Sequence, residues 1–485
     1  MAGLSKSRIL IHRQCARRLW LQTNRPELAE VEAATTARMA AGNRVGELAR
    51  SFYPGGLLIE GDSLDQAIED TRQALAGPPL PIFEATFNAD EVLIRADILK
   101  PDKGGYRMIE VKSSTGVKDY HYEDSAIQTR VAKDAGLPLT GIDIGHINNA
   151  FVYPGGGDYN GLFAHVDISE KVKGLVSQVP IWADAARATL AVKDEPDVAT
   201  GEQCRKPFPC PFIKHCAPPA NENAYPPEML PHGKSLARKL RAEGYDDLRE
   251  VPEARLTNPQ HLRIRRSSIS MQPELDAGAG DRLRTLPYPR YYLDFETIQF
   301  AVPIWAGTRP YQQIPFQWSC HIEDAAGKIE HREFLAEGFD DPRRAFAESL
   351  VAVLGTAGPI LVYNAGFESS RMKESAEAFP EFAPALNAAI DRIVDLWPIA
   401  RDHYYHPDMR GSWSIKVVAP SIAPDLSYEG LEVAGGGMAM EAFAEIIDSA
   451  TTPERRQQLR RALLEYCKLD SLSNLKIAQH FLKVR

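Results

Sequence analysis

The stretch Arg95-Ala-Asp97-Ile-Leu-Lys-Pro-Asp-Lys-Gly-Gly-Tyr-Arg-Met-Ile-Glu110-Val-Lys112-Ser-Ser114 decides how the first half of the chain is read. Two apolar-rich runs flank Pro-Asp-Lys-Gly-Gly, whose residues suit a hairpin turn. Side chains at i and i+2 of a strand share a face, so Glu110 and Lys112 point together with Val111 in the core behind them. Asp97, on the preceding strand, can join them. The apolar flank of Met108, Ile109 and Val111 predicts a buried strand that carries charges, not a surface hairpin with an exposed ion pair. Two carboxylates hold a hard divalent cation such as Mg²⁺ or Mn²⁺. Such an ion polarises a phosphoryl oxygen and activates bound water, and Lys112 would orient that water or offset charge growing on phosphate. Glu84, in Phe-Glu-Ala-Thr-Phe one strand earlier, is a further candidate ligand.

Outward from the hairpin, residues 1–77 read as helical, with a basic stretch (Arg13, Arg17, Arg18) around Cys15. Gly77-Pro-Pro-Leu-Pro81 breaks the chain. Strands are predicted at 82–87, 91–99, 106–113 and 147–153, and helices near 124–135 and 168–192. Residues 1–216 are thus expected to form one domain and 217–287 a connector with a helix at 234–243. The run Arg263, Arg265, Arg266 in that connector reads as a solvated face. A second αβ pattern fills 288–485, with strands at 291–296, 316–322, 359–363 and 392–396 and helices at 341–355 and 453–484.

With 485 residues, 44% hydrophobic and 25% charged, the composition is that of an ordinary globular protein with room for several cores. The net charge of −9 argues against a generally basic surface, though phosphate contacts come from local patches. The basic segment Met1 to Trp20 lacks a signal-peptide core, and no apolar run approaches the roughly 18 residues of a membrane span. A cytoplasmic protein with reduced thiols, and no membrane partner, is the expectation.

Six cysteines do not make a disulfide scaffold. Three of them, Cys204, Cys210 and Cys216, fall within 13 residues, and Cys15 lies far upstream. Four thiolates can complete a zinc site or a 4Fe–4S cluster, and spacing does not choose between them. Either would close a loop of about 200 residues and tie the ends of the first domain together. Cys320 and Cys467 sit in apolar surroundings and read as core.

In the second half, Tyr291-Tyr-Leu-Asp294-Phe-Glu296-Thr puts two acids on one strand face with Phe295 behind. Tyr466-Cys-Lys-Leu-Asp470 places Tyr466 and Asp470 on one helix face. Between them stands Asn364-Ala-Gly-Phe-Glu368, with Asp395 as a possible supporting acid. Acids so placed can hold two metals flanking a scissile phosphate, with Tyr466 positioning or deprotonating water.

Asp97, Glu110 and Lys112 resemble the site of the PD-(D/E)XK nucleases, and Gln128 falls where the RecB-type members carry Gln-x-x-x-Tyr, although position 132 is Ala. The Gly42-x-x-x-Gly46 stretch lacks the metal-binding His of that type, which leaves Glu84 or Glu47 to compensate. The four cysteines resemble the iron staple of AddB-type and CRISPR-associated RecB-like exonucleases, which implies 4Fe–4S over zinc. Asp294, Glu296, Glu368, Tyr466 and Asp470 resemble the DEDDy exonucleases, with Glu368 replacing their Asp. As a whole, roughly 4–216 and 287–482 resemble a bacterial family of unknown function that joins these two domains. The resemblance also takes in Arg309, Tyr311 and Gln317, and the loop Gly411-Ser-Trp-Ser-Ile-Lys416. It implies an α/β protein: a restriction-endonuclease-like domain with an iron–sulfur staple, then an RNase H-like exonuclease domain. The implied activity is metal-dependent hydrolysis of nucleic acid, DNA favoured over RNA. The alternative is a nucleic-acid-binding or redox-regulatory protein whose sites are degenerate.

Overall fold

The hairpin read from the sequence forms the middle of a mixed sheet. The computed structural model describes residues 4–30, 33–217 and 224–484, with backbone alone over 33–41. The chain is α/β and divides into two units, Met1–Pro219 with Phe300–Gln312 and Ala220–Gln299 with Gln313–Arg485.

The first unit's strands are β1 (Leu4–Ser5), β2 (Leu57–Leu58), β3 (Ile82–Ala89), β4 (Val92–Asp102), β5 (Gly105–Lys112), β6 (Leu139–Ile147) and β7 (Phe163–Asp167). Their order is β2-β3-β4-β5-β6-β7, with β1 paired to β4. The helices are α1 (Lys6–Gln14), α2 (Ala16–Asn24), α3 (Ala33–Ser51), α4 (Leu64–Ala76), α5 (Asp119–Asp134), α6 (Ser169–Val176), α7 (Val179–Ala191) and α8 (Ile213–Cys216). Strands β5 and β6 are parallel, so the chain crosses over between them through α5. Ile9, Leu19, Ala67, Ala126, Ile127, Val131 and Trp182 cover one sheet face, against Ile82, Ala85, Ile94, Met108 and Ile144. Ala49 of α3 packs on the other face with Phe83, Ile98 and Ile109.

The strand expected at 147–153 lies at Leu139–Ile147 instead. Gly141 and Gly145 blur its apolar pattern, and the first sits close under two side chains. A Cβ on Gly141 would come within 2.6 Å of the Arg107 guanidinium and 3.0 Å of Ser169 Oγ. The helix expected over 168–192 is two, because the chain restarts at α7 with a proline in its first turn.

The second unit holds β8 (Glu274–Leu275), β9 (Arg290–Ile298), β10 (Ile314–Glu323), β11 (Ile329–Leu335), β12 (Ile360–Val362), β13 (Ile393–Asp395) and β14 (Tyr404–Tyr405). Its main sheet runs β11-β10-β9-β12-β13, antiparallel across β11-β10-β9 and parallel from β9 to β13. Helices α9 (Lys234–Ala242), α10 (Pro259–Ser270) and α11 (Gly278–Arg284) precede the sheet. Helices α12 (Arg343–Leu354), α13 (Gly366–Ala378), α14 (Ala383–Ile390), α15 (Leu396–His403), α16 (Ile415–Ile422), α17 (Gly436–Ile446) and α18 (Pro453–Leu482) follow. Alternation along β9 sorts its side chains. Tyr291, Leu293 and Phe295 pack with α12, α13 and α14, while Tyr292 packs on the opposite side with α18. Asp294 and Glu296 share the α18 side by the same period.

Residues 224–287 do not merely connect. Tyr225, Leu240, Leu248, Ile264 and Leu283 share one core with Leu361, Leu396, Trp413 and Phe481. In the basic run on α10, Arg266 is exposed while Arg263 and Arg265 are largely covered, and all three are paired. Arg265 donates to the Val251 carbonyl at 2.5 Å, Arg266 to Glu274 at 2.7 Å and Arg263 to Asp276 at 3.3 Å. Among the described residues, no helix is long and apolar enough to cross a membrane.

Candidate functional site

In the second unit, β9 and α18 bring three carboxylates together. Ligand oxygens of Asp294, Glu296 and Asp470 all lie within 4.8 Å of one another. Two side-chain hydrogen bonds fix α18 on the sheet: Asn474 Nδ2 donates to the Leu293 carbonyl at 3.0 Å, and Gln317 Nε2 to the Leu463 carbonyl at 2.8 Å. Gln317, unassigned in sequence, therefore sets where Asp470 falls. Tyr466, one turn before Asp470, is buried and hydrogen-bonds to it. Tyr428 donates to Asp470 Oδ1 at 2.5 Å. The Lys416 ammonium lies 4.8 Å from the ring centre of Tyr466 and 5.2 Å from that of Tyr428. Cys467, expected to be plain core, turns its thiol to Asp294 Oδ2 at 3.6 Å.

Burial holds Asp294 well above the usual carboxylate range, and Asp470, Glu296 and Glu368 push it further. Glu296 is raised by burial and by Asp470 and Glu368, against the opposing pull of Lys416. Burial also raises Asp470, opposed by its bonds from the tyrosines and by Lys416. Buried anions crowded this way carry a large desolvation cost unless a cation joins them. That donor set of hard oxygens suits Mg²⁺ or Mn²⁺. Glu368, on the first turn of α13, faces the same charges but stands outside the gathered three. Its Oε2 has no hydrogen-bond partner among the described residues, and burial pushes its carboxyl up to about 8. Asp395 is occupied otherwise, accepting the backbone N–H groups of Asn364 (3.0 Å), Ala365 (3.0 Å) and Trp397 (2.9 Å). Asn364 sits in the left-handed region at φ 81°, a conformation that is uncommon outside glycine.

The first unit places its residues differently. Glu110 and Lys112 share a face, as the period requires, and meet α5 there. Gln128 Nε2 donates to Glu110 Oε1 at 2.5 Å and to the Arg95 carbonyl at 3.1 Å. Lys112 Nζ reaches Glu110 Oε2 at 3.2 Å and Asp124 Oδ2 at 2.7 Å. Asp97 accepts the backbone N–H of Val111 at 2.7 Å. Strand register sets Glu84 opposite Asp97, flanked by the pairs Phe83–Ile98 and Ala85–Ala96. Glu84 has φ 56°, which breaks the alternation of faces at that row. Glu84, Asp97 and Glu47 line one cavity of about 360 Å³ with Gly42 and Gly46. These acids are not drawn together as three close ligands.

Sequence reading missed Lys6 and Asp124. Burial opposes the charge of Lys112, yet Asp124, Glu110 and Asp97 raise its ammonium well above the ordinary lysine value. Asp124 is likewise held low despite burial by Lys112 and Lys6. Asp97 is pushed up to about 7 by burial and by Glu110, with Lys112 and Lys6 offsetting part of it. Glu84 is raised by burial, against Arg50 and Arg95. Tyr311 donates its hydroxyl to the Ser113 carbonyl just past Lys112. The Arg309 N–H donates to Gln312 Oε1 at 3.0 Å, and its side chain has no structural role we can assign.

All four predicted cysteine ligands come to one region. Cys15 joins α1 to α2, and Cys204, Cys210 and Cys216 follow α7. Gln14 Nε2 donates to the carbonyls of Gln203 and Phe208, each at 2.7 Å, and Trp20 Nε1 to that of Val192 at 3.1 Å. Cys204, Cys210 and Cys216 pack with Trp20, Leu21 and Phe212. Burial raises the Cys210 thiol, which the neighbouring Cys204 and Cys15 raise further and Arg18 lowers. The Cys216 thiol is raised by burial too, beside Arg17, Cys210 and Cys15. The thiols are free of disulfides. No three of these sulfurs lie within 4.8 Å of one another. A tetrahedral zinc ion with bonds of about 2.3 Å would draw its sulfurs under ~4 Å apart. These thiols are therefore gathered in one region without being drawn into a close ligand set.

Comparison with known proteins finds relatives of part of the chain. The chain is 25% identical over 234 residues to the Uncharacterized protein UU173 of Ureaplasma parvum, covering 44% of this chain and 34% of the relative. It is 26% identical over 200 residues to the Uncharacterized protein MG366 homolog of Mycoplasma pneumoniae, covering 37% of this chain and 30% of the relative. The match thus spans about a third of the length of these curated relatives. Residues 291–414, which carry Asp294, Glu296 and Glu368, match the family described as Domain of unknown function (DUF2779).

Proposed function

We propose that the chain is a metal-dependent phosphodiester hydrolase of nucleic acid, with DNA favoured, working at Asp294, Glu296 and Asp470. The observation that carries this reading is the meeting of those three carboxylates within 4.8 Å, Glu296 and Asp470 buried and Asp294 half-buried, on a strand and a helix that also deliver Tyr466. The arrangement supports an RNase H-like, DEDD-type reading of the second unit. Asp294, Glu296 and Asp470 would hold Mg²⁺ or Mn²⁺, with Glu368 as the further acid. A bound cation there supplies Lewis-acid polarisation of phosphate and an activated water. Tyr466 and Tyr428 orient the Asp470 carboxylate, and Lys416 offsets the charge of Glu296. Glu368, with a free Oε2, can accept a proton or a hydrogen bond from water.

For the first unit we propose a PD-(D/E)XK-like centre at Asp97, Glu110, Lys112 and Gln128, with a 4Fe–4S cluster on Cys15, Cys204, Cys210 and Cys216. Glu110 and the neighbouring Asp124 are already paired with Lys6 and Lys112. That observation favours a role for this unit in binding or gating, with the cleavage assigned to the second unit. The test uses end-labelled single-stranded DNA, duplex DNA and RNA, with Mn²⁺, Mg²⁺ or EDTA. Wild type runs beside Asp470→Asn and Lys112→Ala. Metal-dependent cleavage lost in Asp470→Asn is expected. Wild type that degrades none of the three substrates overturns the proposal.

A further inference from the structure

The second unit contains a cavity of about 1110 Å³ that the acid centre does not account for. One wall comes from α10 (Gln260, Arg263), another from α15 (Trp397, Arg401), and the rest from Asn364 and Trp413. Two of the segments that line it run directly into the acid centre. Asn364 stands four residues before Glu368, and the segment that supplies Trp413, Ser414 and Ile415 continues into Lys416 on α16. The Tyr363 hydroxyl donates to the Trp413 carbonyl at 2.8 Å and ties these two segments together.

The lining chemistry is mixed. The Arg401 guanidinium lies 4.8 Å from the ring centre of Trp397. A partly buried indole with a guanidinium over its ring can take a flat aromatic group at its open edge, with an anion beside it. Gln260 and Asn364 offer amides that can pair with polar edges of such a group. Both arginines are partly neutralised, Arg401 by Asp402 at 2.6 Å and Arg263 by Asp276 at 3.3 Å. The cavity is therefore not a strongly cationic trench. It suits ligands whose recognition is mostly stacking with one or two phosphates. Its volume also exceeds the roughly 300–1,000 Å³ that a single small ligand fills.

We propose that this cavity holds unpaired nucleotides of a single nucleic-acid strand beside the position cleaved at Asp294, Glu296 and Asp470. This rests on the hydrolase reading of the acid centre. Trp397 stacks a base, and Arg401 and Arg263 meet its phosphates. Helix α10 lies outside the 291–414 family match, so residues 231–263 extend the substrate site beyond that match.

Anisotropy of labelled oligothymidylates and of a duplex of equal length, with Ca²⁺ replacing Mg²⁺, reads binding without cleavage. Trp397→Ala is expected to weaken single-strand binding roughly 5- to 150-fold, the range for loss of one stacked base, and Arg401→Ala to weaken it and flatten its salt dependence by about 0.7 in log–log slope. Duplex binding should be weaker than single-strand binding in wild type. Two phosphate contacts give a log–log salt slope of about −1.4 for a single strand. In cleavage, Arg401→Ala should raise KM and leave kcat within about twofold, since uniform binding is what it removes. If Trp397→Ala does not fold, Arg401→Ala and Gln260→Ala carry the same readout. Unchanged oligonucleotide binding in all folded variants, or binding of peptide in preference to any oligonucleotide, overturns the cavity proposal. Wild type that binds single strands through Trp397 and Arg401 but cleaves nothing overturns the hydrolase reading alone.

Discussion

The Lys6 ammonium lies 2.8 Å from Asp124 Oδ1 and 3.5 Å from Glu110 Oε2, so the first helix of the chain reaches into the charge cluster built by β5 and α5. The same helix ends at Cys15. One rigid element of nine residues therefore joins the cysteine region to Glu110 and Lys112.

Replacing Lys6 by Met leaves Asp124 with Lys112 as its remaining cation. An unsatisfied, largely buried carboxylate oxygen costs about 1–3 kcal/mol. Urea unfolding of the first unit should show its free energy of unfolding lowered by that amount, read as a lower midpoint at unchanged slope. An unchanged midpoint would mean the pair contributes nothing.

The crowded acids of the second unit predict opposite effects with and without metal. Asp470→Asn removes one of three repelling buried charges, so the metal-free protein should gain thermal stability. The same variant should lose the stabilisation that Mn²⁺ gives wild type, about 2.7 kcal/mol at 100 times Kd. Thermal melts with EDTA and with Mn²⁺ check both signs together. A variant still stabilised by Mn²⁺ as fully as wild type would count against the three-carboxylate site.

Cys15→Ser removes the only upstream member of the cysteine set. Iron and sulfide content should fall, and limited proteolysis should open the segment 192–216 first, because Gln14 and Trp20 hold it. Equal iron content in variant and wild type would refute the assignment of Cys15 as a ligand.

Buried histidines set an acid limit. Burial pushes His321 down to about 3, helped by His331 and nearby lysines, and His331 down to about 4, helped by Lys468. His121 falls to about 4 through burial and Lys112. A depressed folded value means that the unfolded chain binds more protons below its own value near 6.5. The stability these groups contribute is complete above about pH 6.5 and is lost as the pH falls toward about 4. His321→Gln combined with His331→Gln should flatten the profile across that window in denaturant titrations. An unchanged slope would place the acid sensitivity elsewhere.

Gly411 holds φ +81°, and a Cβ there would fall 1.9 Å from the Met229 carbonyl oxygen. Gly411→Ala should destabilise the second unit by about 1–3 kcal/mol from backbone strain, plus the clash. It should also weaken single-strand binding, because the loop it begins lines the cavity. A melt and a binding curve like those of wild type would show that the loop shifts freely.

Much of the fold was legible locally. The hairpin at Asp97–Lys112, the strand at Asp294 and the final helix carry strong period signals over many residues, and each formed close to its expected bounds. Strand β6 was shifted because Gly141, close to Arg107, and Gly145, close to Ile109 and His165, look like turn residues in isolation. Residues 224–287 looked like a connector because their apolar residues are spread among short helices and prolines. Their burial depends on partners more than a hundred residues away.

The sequence by itself determined which chemistry each segment can offer, because residue type and the strand and helix periods fix what shares a face. It put Glu110 with Lys112, Asp294 with Glu296, and Tyr466 with Asp470. Only the tertiary structure decided which of these sets converge. Asp470 meets Asp294 because Gln317 and Asn474 dock α18 on the sheet, whereas Glu110 and Asp124 meet the ammonium groups of Lys6 and Lys112. Lys6, Asp124, Lys416 and Tyr428 carry no local signal, since their roles arise from long-range packing that brings an isolated charge or hydroxyl beside a buried acid.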